Sequence, residues 1–257
     1  VTATFFPAQG SSGGGIWGWG GASIDPATNN VFVATGNSSG SSQTVGYSEQ
    51  IIELSADLST VIAHNHPSLP GSADADFGAT PLLFQPPGCP PLLAAVNKSG
   101  AFVLYNRNNI SAGPVQTILM SIATSKADFV GVPSYDPVTH YVYVGLPSTF
   151  GIYKPGAGAF SINANCTLNT TPVWNAVFGP DGAASGAGVT LRSPITIANG
   201  VAYVSDYTGK TMHALDAATG AQLWSAALTN IGMVGPVVVN GRVYVGDYGG
   251  TIQAFSP

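Results

Sequence analysis

The stretch Val201-Ala-Tyr-Val-Ser-Asp-Tyr-Thr-Gly209 is echoed near the C-terminus by Val243-Tyr-Val-Gly-Asp-Tyr-Gly-Gly250. Each copy runs into a second alternating stretch, Met212-His-Ala-Leu-Asp216 and Ile252-Gln-Ala-Phe-Ser256. The period-two alternation on both sides of a glycine reads as strand, turn, strand. The pattern recurs as Leu92-Leu-Ala-Ala-Val-Asn-Lys-Ser-Gly100 followed by Phe102-Val-Leu-Tyr-Asn106, and in fainter form from Val31 and from Tyr141. In the best copy an Asx-type turn, Asp216-Ala-Ala-Thr-Gly220, leads to a further strand, Ala221-Gln-Leu-Trp224, and Ile51–Ala63 superimposes on that unit. Anchored on Ala34, Val96, Gly145, Ser205 and Gly246, the units recur at roughly 40–60 residues, a length that suits the four-stranded antiparallel blade of a β-propeller. The expectation is an all-β propeller filling residues 1–257 as one domain, with five units, the last lacking its closing strand. Thr2-Ala-Thr-Phe-Phe6 reads as a strand within residues 1–10 that completes a blade. That blade is either the last one, closing a ring, or one whose earlier part is absent.

Composition agrees. The chain has 45% apolar residues and 19 prolines, which excludes intrinsic disorder. No apolar run approaches the roughly 18 residues that a membrane helix needs. Helix-favouring charged residues are scarce, at 7% of the chain, while glycine numbers 33, so long helices are not expected. With 7 basic against 12 acidic residues and no basic cluster, counterion release cannot drive nucleic-acid binding. Cys89 and Cys166 are too few for a disulfide scaffold and lack metal-ligand spacing, leaving either one long-range bridge or two buried thiols. Asn-x-Ser/Thr triplets at Asn37, Asn97, Asn109, Asn165 and Asn169 point to a glycosylated, secreted protein if the source is a eukaryote. A secreted or periplasmic location is expected. The glycines at 13–15, 18, 20 and 21 form no phosphate-loop pattern and read as tight turns. His64 and His66 lie on one strand face but have no third ligand nearby in sequence, and His140 and His213 read as strand residues.

From Gly13 to Arg107 the chain resembles the quinoprotein alcohol dehydrogenases, propeller enzymes that use pyrroloquinoline quinone (PQQ). The matching segments are Gly14-Gly-Ile-Trp-Gly-Trp-Gly-Gly-Ala-Ser-Ile-Asp25, Asn30-Val-Phe-Val-Ala-Thr-Gly-Asn37, Asp74-Ala-Asp-Phe-Gly-Ala-Thr-Pro81 and Asn97-Lys-Ser-Gly-Ala-Phe-Val-Leu-Tyr-Asn-Arg107. The third looks most like the polyvinyl alcohol dehydrogenase branch. The resemblance implies that Trp17 or Trp19 is the floor on which the quinone stacks, and that Asn37 gives an amide oxygen to Ca²⁺. It implies Asp76 as the base that takes the alcohol proton beside the metal, and Lys98 as donor to the quinone oxygens. Lys98 also stands where the sister repeats carry Tyr207 and Tyr248. A charge in one repeat alone suggests a site.

Each of these residues has a plainer reading. The two tryptophans could pack between blades, Asn37 could cap a turn, and Asp74 and Asp76 could form Asx turns. The family has about eight blades, a carboxylate upstream that completes the calcium site, and upstream contacts that cover the quinone; here only sixteen residues precede Trp17. The chain is therefore expected to be either the C-terminal part of a larger ring or a shortened propeller without the cofactor. Two functions follow. One is PQQ- and Ca²⁺-dependent oxidation of a small-molecule or polymer alcohol, beside the missing N-terminal part or another copy. The other is a non-catalytic extracellular binding or assembly scaffold.

Overall fold

The computed structural model describes residues 2–8, 13–18, 20–38, 46–70, 74–121, 129–178 and 193–256. Among these residues nineteen strands form five antiparallel sheets. Sheet 1 holds β1 (Ser23–Ile24), β2 (Val31–Ala34), β3 (Ile51–Leu54) and β4 (Val61–Asn65). Sheet 2 holds β5 (Leu82–Phe84), β6 (Leu92–Asn97), β7 (Ala101–Asn106) and β8 (Gln116–Leu119). Sheet 3 holds β9 (Ser134–Asp136), β10 (Tyr141–Leu146), β11 (Gly156–Ser161) and β12 (Trp174–Val177). Sheet 4 holds β13 (Thr196–Ala198), β14 (Val201–Asp206), β15 (Thr211–Asp216) and β16 (Gln222–Ala227). Sheet 5 has three strands, β17 (Val237–Val239), β18 (Arg242–Gly246) and β19 (Ile252–Phe255). All five repeat anchors lie on the second strand of their sheet. The one helical segment among the described residues is a 3-10 turn, Arg107–Ala112.

The alternation of each strand stacks the sheets in chain order. On β6, Leu93 and Ala95 join a core with Phe32 and Ile51 of sheet 1. Leu92, Ala94 and Val96 of the same strand face Val142 and Phe160 of sheet 3. On β10 the faces divide again, Val142 and Val144 toward sheet 2 and Tyr143 toward Ala202 and Leu215 of sheet 4. Met212 of sheet 4 meets Val243 and Val245 of sheet 5. First strands of successive sheets touch, β5 with β9, β9 with β13 and β13 with β17. The first strands therefore lie inside, and the exposed fourth strands, such as β16, form the rim. This is the propeller expected from the repeat.

One turn recurs through the molecule. In Asp25-Pro-Ala-Thr-Asn29, Asp136-Pro-Val-Thr-His140 and Asp216-Ala-Ala-Thr-Gly220 the aspartate carboxylate accepts from the threonine hydroxyl, at 3.3, 3.0 and 2.8 Å. The fifth residue closes each turn at positive φ, 61° for Asn29, 58° for His140 and 73° for Gly220. The superposition of Ile51–Ala63 on the sheet 4 unit extends to its bulge, since the register shifts between Glu53 and Leu54 and between Ala214 and Leu215.

One expectation changes and one open alternative is decided. Residues 2–8 carry no strand: Phe5 packs on Tyr47 beside Val31, Val33, Ile52 and Leu54, and Tyr47 N–H donates to the Pro7 carbonyl. This segment covers the outer face of sheet 1 and does not complete a blade, because its apolar ring finds a buried face there instead of a ladder. Cys89 and Cys166 resolve to the bridge, with Cα atoms 5.6 Å apart across 77 residues, tying the β5–β6 turn to the loop after β11. Among the described residues no helix is long and apolar enough to cross a membrane.

Candidate functional site

Antiparallel hairpins put every turn between second and third strands at one end of the sheets. There the β6–β7 turn, Asn97 to Gly100, meets two segments from earlier in the chain. The connection from sheet 1 to sheet 2 passes beneath it. Lys98 N–H donates to the Asp76 carbonyl at 3.0 Å, and Asn97 Nδ2 donates to the Ala75 carbonyl at 2.7 Å. Phe77, fully buried, anchors the same segment and gives its N–H to the Thr35 carbonyl at 3.3 Å. The second segment, 14–18, runs beside residues 36–38: Gly36 N–H donates to the Gly15 carbonyl at 2.9 Å and Gly14 N–H to the Asn37 carbonyl at 2.8 Å.

These contacts set a charged centre. Lys98 Nζ donates to Asp76 Oδ2 at 2.9 Å and to both oxygens of Asp74 at 3.1 Å. It also lies 4.9 Å from the centroid of the Trp17 ring, within cation–π range. Asp76 Oδ1 accepts from the Asn37 backbone N–H at 2.8 Å. Glycine is required around it. A Cβ on Gly36 would stand 2.3 Å from Asp76 Oδ1, and one on Gly78 2.6 Å from Trp17 Cη2. The tryptophan and the carboxylate reach the lysine because these two backbones carry no side chain.

The electrostatics separate the carboxylates. Burial raises Asp76 above the ordinary carboxylate range, and its hydrogen bond with Asp74 pushes the same way, against Lys98 and the Asn37 N–H. Burial opposes ionisation of Asp74 as well. Its hydrogen bonds with Asp76 and Lys98 outweigh that and hold it low. Burial favours neutral Lys98, but the two carboxylates overcome this and raise it. The lysine is a fixed cation, and Asp76 is the group poised to exchange a proton.

Of the residues singled out in the sequence, Trp17, Asn37, Asp76 and Lys98 are brought together, while Trp19 lies outside the described residues. Asn37 meets Asp76 through its backbone N–H. Asp74 belongs to the centre although the sequence reading gave it no role; the signal was its i, i+2 spacing from Asp76, which in extended chain turns both side chains to one side. His64 and His66 go to different partners, Gln50 Oε1 at 2.8 Å and Glu49 Oε2 at 3.4 Å. Asn97, with 1% exposure and its amide bonded to Ala75, cannot accept a glycan in the folded chain.

A family model described as outer membrane protein assembly factor BamB matches residues 166–257. No curated protein matches the sequence. Among solved structures, BamB from Moraxella catarrhalis is similar over 92% of this chain and 60% of that one, at 16% identity and a TM-score of 0.63. A quinohemoprotein alcohol dehydrogenase from Pseudomonas putida HK5 aligns over 91% of this chain and 44% of its own, at 15% identity and a TM-score of 0.63. A europium-containing methanol dehydrogenase aligns over 95% and 50%, at 15% identity and a TM-score of 0.60. The chain spans between 44% and 60% of the length of these structures. At such identity the likeness is one of fold, and the fold is a β-propeller.

Proposed function

We propose that the centre around Lys98 oxidises an alcohol, small or polymeric, with pyrroloquinoline quinone as the electron acceptor, outside the cytoplasm. The observation that carries this reading is the meeting of Trp17, Asn37, Asp76 and Lys98, four residues nominated by motif and scattered in sequence. The residues present suit a planar, oxygen-rich quinone: Trp17 is an aromatic residue that is 38% exposed, and Lys98 is an ammonium donor beside it. They suit Ca²⁺ less well. Asp74, Asp76 and the Asn37 amide are oxygen donors of the right kind, but among the described residues no three His, Cys, Asp or Glu side chains gather around one point. Both carboxylates already hold Lys98.

When bound, the quinone supplies the two-electron acceptor for the alcohol carbon. Asp76 takes the hydroxyl proton, a task helped by a pKa above the usual carboxylate range. Lys98 turns part of its donor set from Asp74 to the quinone oxygens and holds Asp76 in place with the remainder. Trp17 fixes the plane. The disulfide fits an oxidising compartment. The likeness to the polyvinyl alcohol branch rests on Asp74–Pro81 alone.

One observation favours the second reading, a non-catalytic extracellular or periplasmic scaffold. The three N–H bonds of Lys98 already meet three carboxylate oxygens, which leaves none for a cofactor unless Asp74 releases its share. Titration with PQQ, alone and with added Ca²⁺, separates the two. The enzyme reading expects saturable quenching of tryptophan emission, weakened in Trp17→Phe, and reduction of a dye when alcohol is added. No quenching at PQQ concentrations near 1 mM, about −4 kcal/mol of binding, leaves the scaffold.

A further inference from the structure

A proline stands just ahead of the first strand in sheets 2 to 5, as Pro81, Pro133, Pro194 and Pro236. In two places a hydroxyl on the first strand of one sheet donates to the proline carbonyl of the next, Ser23 Oγ to Pro81 at 2.5 Å and Thr196 Oγ1 to Pro236 at 2.6 Å. That contact belongs to the repeat. The residue before the proline does not repeat: it is Thr80, Val132, Ser193 or Gly235. Ser193 Oγ stays within its own sheet and donates to the Ser205 carbonyl at 2.6 Å. Thr80 Oγ1 reaches out of its sheet instead. It accepts from the Gly20 N–H at 2.9 Å and donates to the Gly21 carbonyl at 2.9 Å. Donor and acceptor of one hydroxyl are thus both spent on two consecutive residues just after Trp17.

The packing agrees. A Cβ on Gly18 would stand 2.6 Å from Thr80 Oγ1, so the backbone next to Trp17 rests directly on Thr80. Along residues 76–80 the contacts alternate. Asp76 meets Lys98, Gly78 lies under the Trp17 ring, and Thr80 grips Gly20 and Gly21. Phe77 and Ala79, between them, join the apolar cores of the sheets. Successive side chains of an extended chain point to opposite sides, so carboxylate, indole seat and clasp share one face of one short stretch. On the N-terminal side of Trp17, Gly14 and Gly15 are fastened to Asn37 and Gly36. Thr80 supplies the fastening on the C-terminal side.

We propose that Thr80 is a positioning residue of the centre: its hydroxyl holds Trp17 against Lys98 by fixing the backbone of Gly20 and Gly21. Thr80 does not act on a ligand itself. The consequence for PQQ rests on the quinone reading above, whereas the clasp is a property of the polypeptide alone. An indole fixed before the ligand arrives spares the cost of ordering it on binding. Loss of the clasp should therefore weaken PQQ binding and leave proton transfer alone, because Asp76 keeps its own bonds to Lys98 and to the Asn37 N–H.

Two variants test this. Thr80→Val keeps the branched shape and loses donor and acceptor; Thr80→Ser keeps the hydroxyl. Without cofactor, the Gly20 amide should exchange slowly in the parent although Gly20 is exposed. It should exchange about tenfold faster in Thr80→Val and at the parent rate in Thr80→Ser. The Trp17 indole N–H resonance should move in Thr80→Val and return to its place in Thr80→Ser. With PQQ, the Kd should rise about five- to tenfold in Thr80→Val, and kcat at saturating PQQ should stay within about twofold. Thr80→Ser should restore the parent Kd.

A threonine that serves stability alone would lower the denaturant midpoint in Thr80→Val while the Trp17 resonance and the PQQ affinity stayed put, and that result overturns the proposal. An unchanged Gly20 exchange rate overturns it too, as does a Thr80→Ser protein that behaves like Thr80→Val. If the parent binds no PQQ, the quinone reading fails by itself, and the Gly20 and Trp17 signals decide on the clasp. Should Thr80→Val not fold, the parent decides: a Gly20 amide that exchanges as fast as free peptide ends the proposal, and a protected one upholds it.

Discussion

The turn Asn97-Lys-Ser-Gly100 in sheet 2 and the turn Asp247-Tyr-Gly-Gly250 in sheet 5 are held by the same set of bonds. Asn97 Oδ1 accepts from Ser99 N–H at 2.8 Å, and Asp247 Oδ1 accepts from Gly249 N–H at 2.9 Å. Gly100 N–H closes on the Asn97 carbonyl and Gly250 N–H on the Asp247 carbonyl, both at positive φ. Each turn is fastened to the connection that precedes its sheet, Lys98 N–H to the Asp76 carbonyl at 3.0 Å and Tyr248 N–H to the Ile231 carbonyl at 2.9 Å. The backbone cradle is common to both places. In one, the two positions hold an ammonium and a buried carboxylate; in the other they hold an isoleucine and a tyrosine that is 73% exposed. The repeat builds the cradle, and the chemistry is added by side chains at two positions on it.

The first way to break this comparison is at the carboxylate. Asp76→Asn keeps the shape, retains the bond from the Asn37 N–H and removes the base. Alcohol oxidation by the PQQ-loaded protein should fall by about 10²–10⁴, while quenching of tryptophan emission by PQQ stays near its original strength. Turnover equal to that of the parent would mean that Asp76 is cradle and nothing more.

The second is at the lysine, read as stability. Removing Lys98 leaves two carboxylates facing each other, one of them mostly buried. Breaking a fully buried pair costs about 3–5 kcal/mol; because Asp74 is a third exposed on its side chain, Lys98→Ala should cost about 2–3 kcal/mol. Tyr248→Ala, at the matching place in sheet 5, should stay within about 0.5 kcal/mol. Denaturant midpoints of the two variants measure the difference directly, and equal midpoints would show that the charged centre adds nothing to the fold.

The cradle was legible in the sequence because alternation with period two and a glycine at a fixed offset are local properties. They place Val96 and Gly246 on equivalent strands. Two of the three Asp-x-x-Thr turns went unnoticed, at Asp25 and Asp136, since only the copy at Asp216 ends in glycine; Asn29 and His140 take the same left-handed conformation with side chains that signal it less clearly. Thr2–Phe6 has the composition of a strand, yet what decides its fate is the nearest uncovered apolar face, a tertiary fact. The pairing of Cys89 with Cys166 stayed open for the same reason, as 77 residues of separation do not fix a distance. At the centre, Trp17, Asn37, Asp76 and Lys98 came from motif order. Asp74 joins the centre through Lys98, which reaches both of its oxygens, and Asn37 meets Asp76 through its backbone N–H, neither of which a motif specifies.

The finest distinction between the two cradles is the second carboxylate, and pH reports on it. Asp76 must be ionised to accept a proton, so the rate should rise as pH rises through its pKa, which lies above the ordinary carboxylate value first because of burial and then because of Asp74. Asp74→Asn removes the second cause and leaves the whole of Lys98 to Asp76, so the acid limb of the pH–rate profile should move to lower pH while the plateau changes little. The stability linkage has the opposite sense for Asp74 itself. Its folded pKa is depressed, so its contribution is present above the unfolded value, about 3.9, and disappears as pH falls through the folded one. The Asp74→Asn protein should therefore lose less stability than the parent as pH falls below the unfolded value, about 3.9. An acid limb that stays in place, or one that moves upward, would show that the two aspartates titrate independently and that Asp74 only neutralises Lys98.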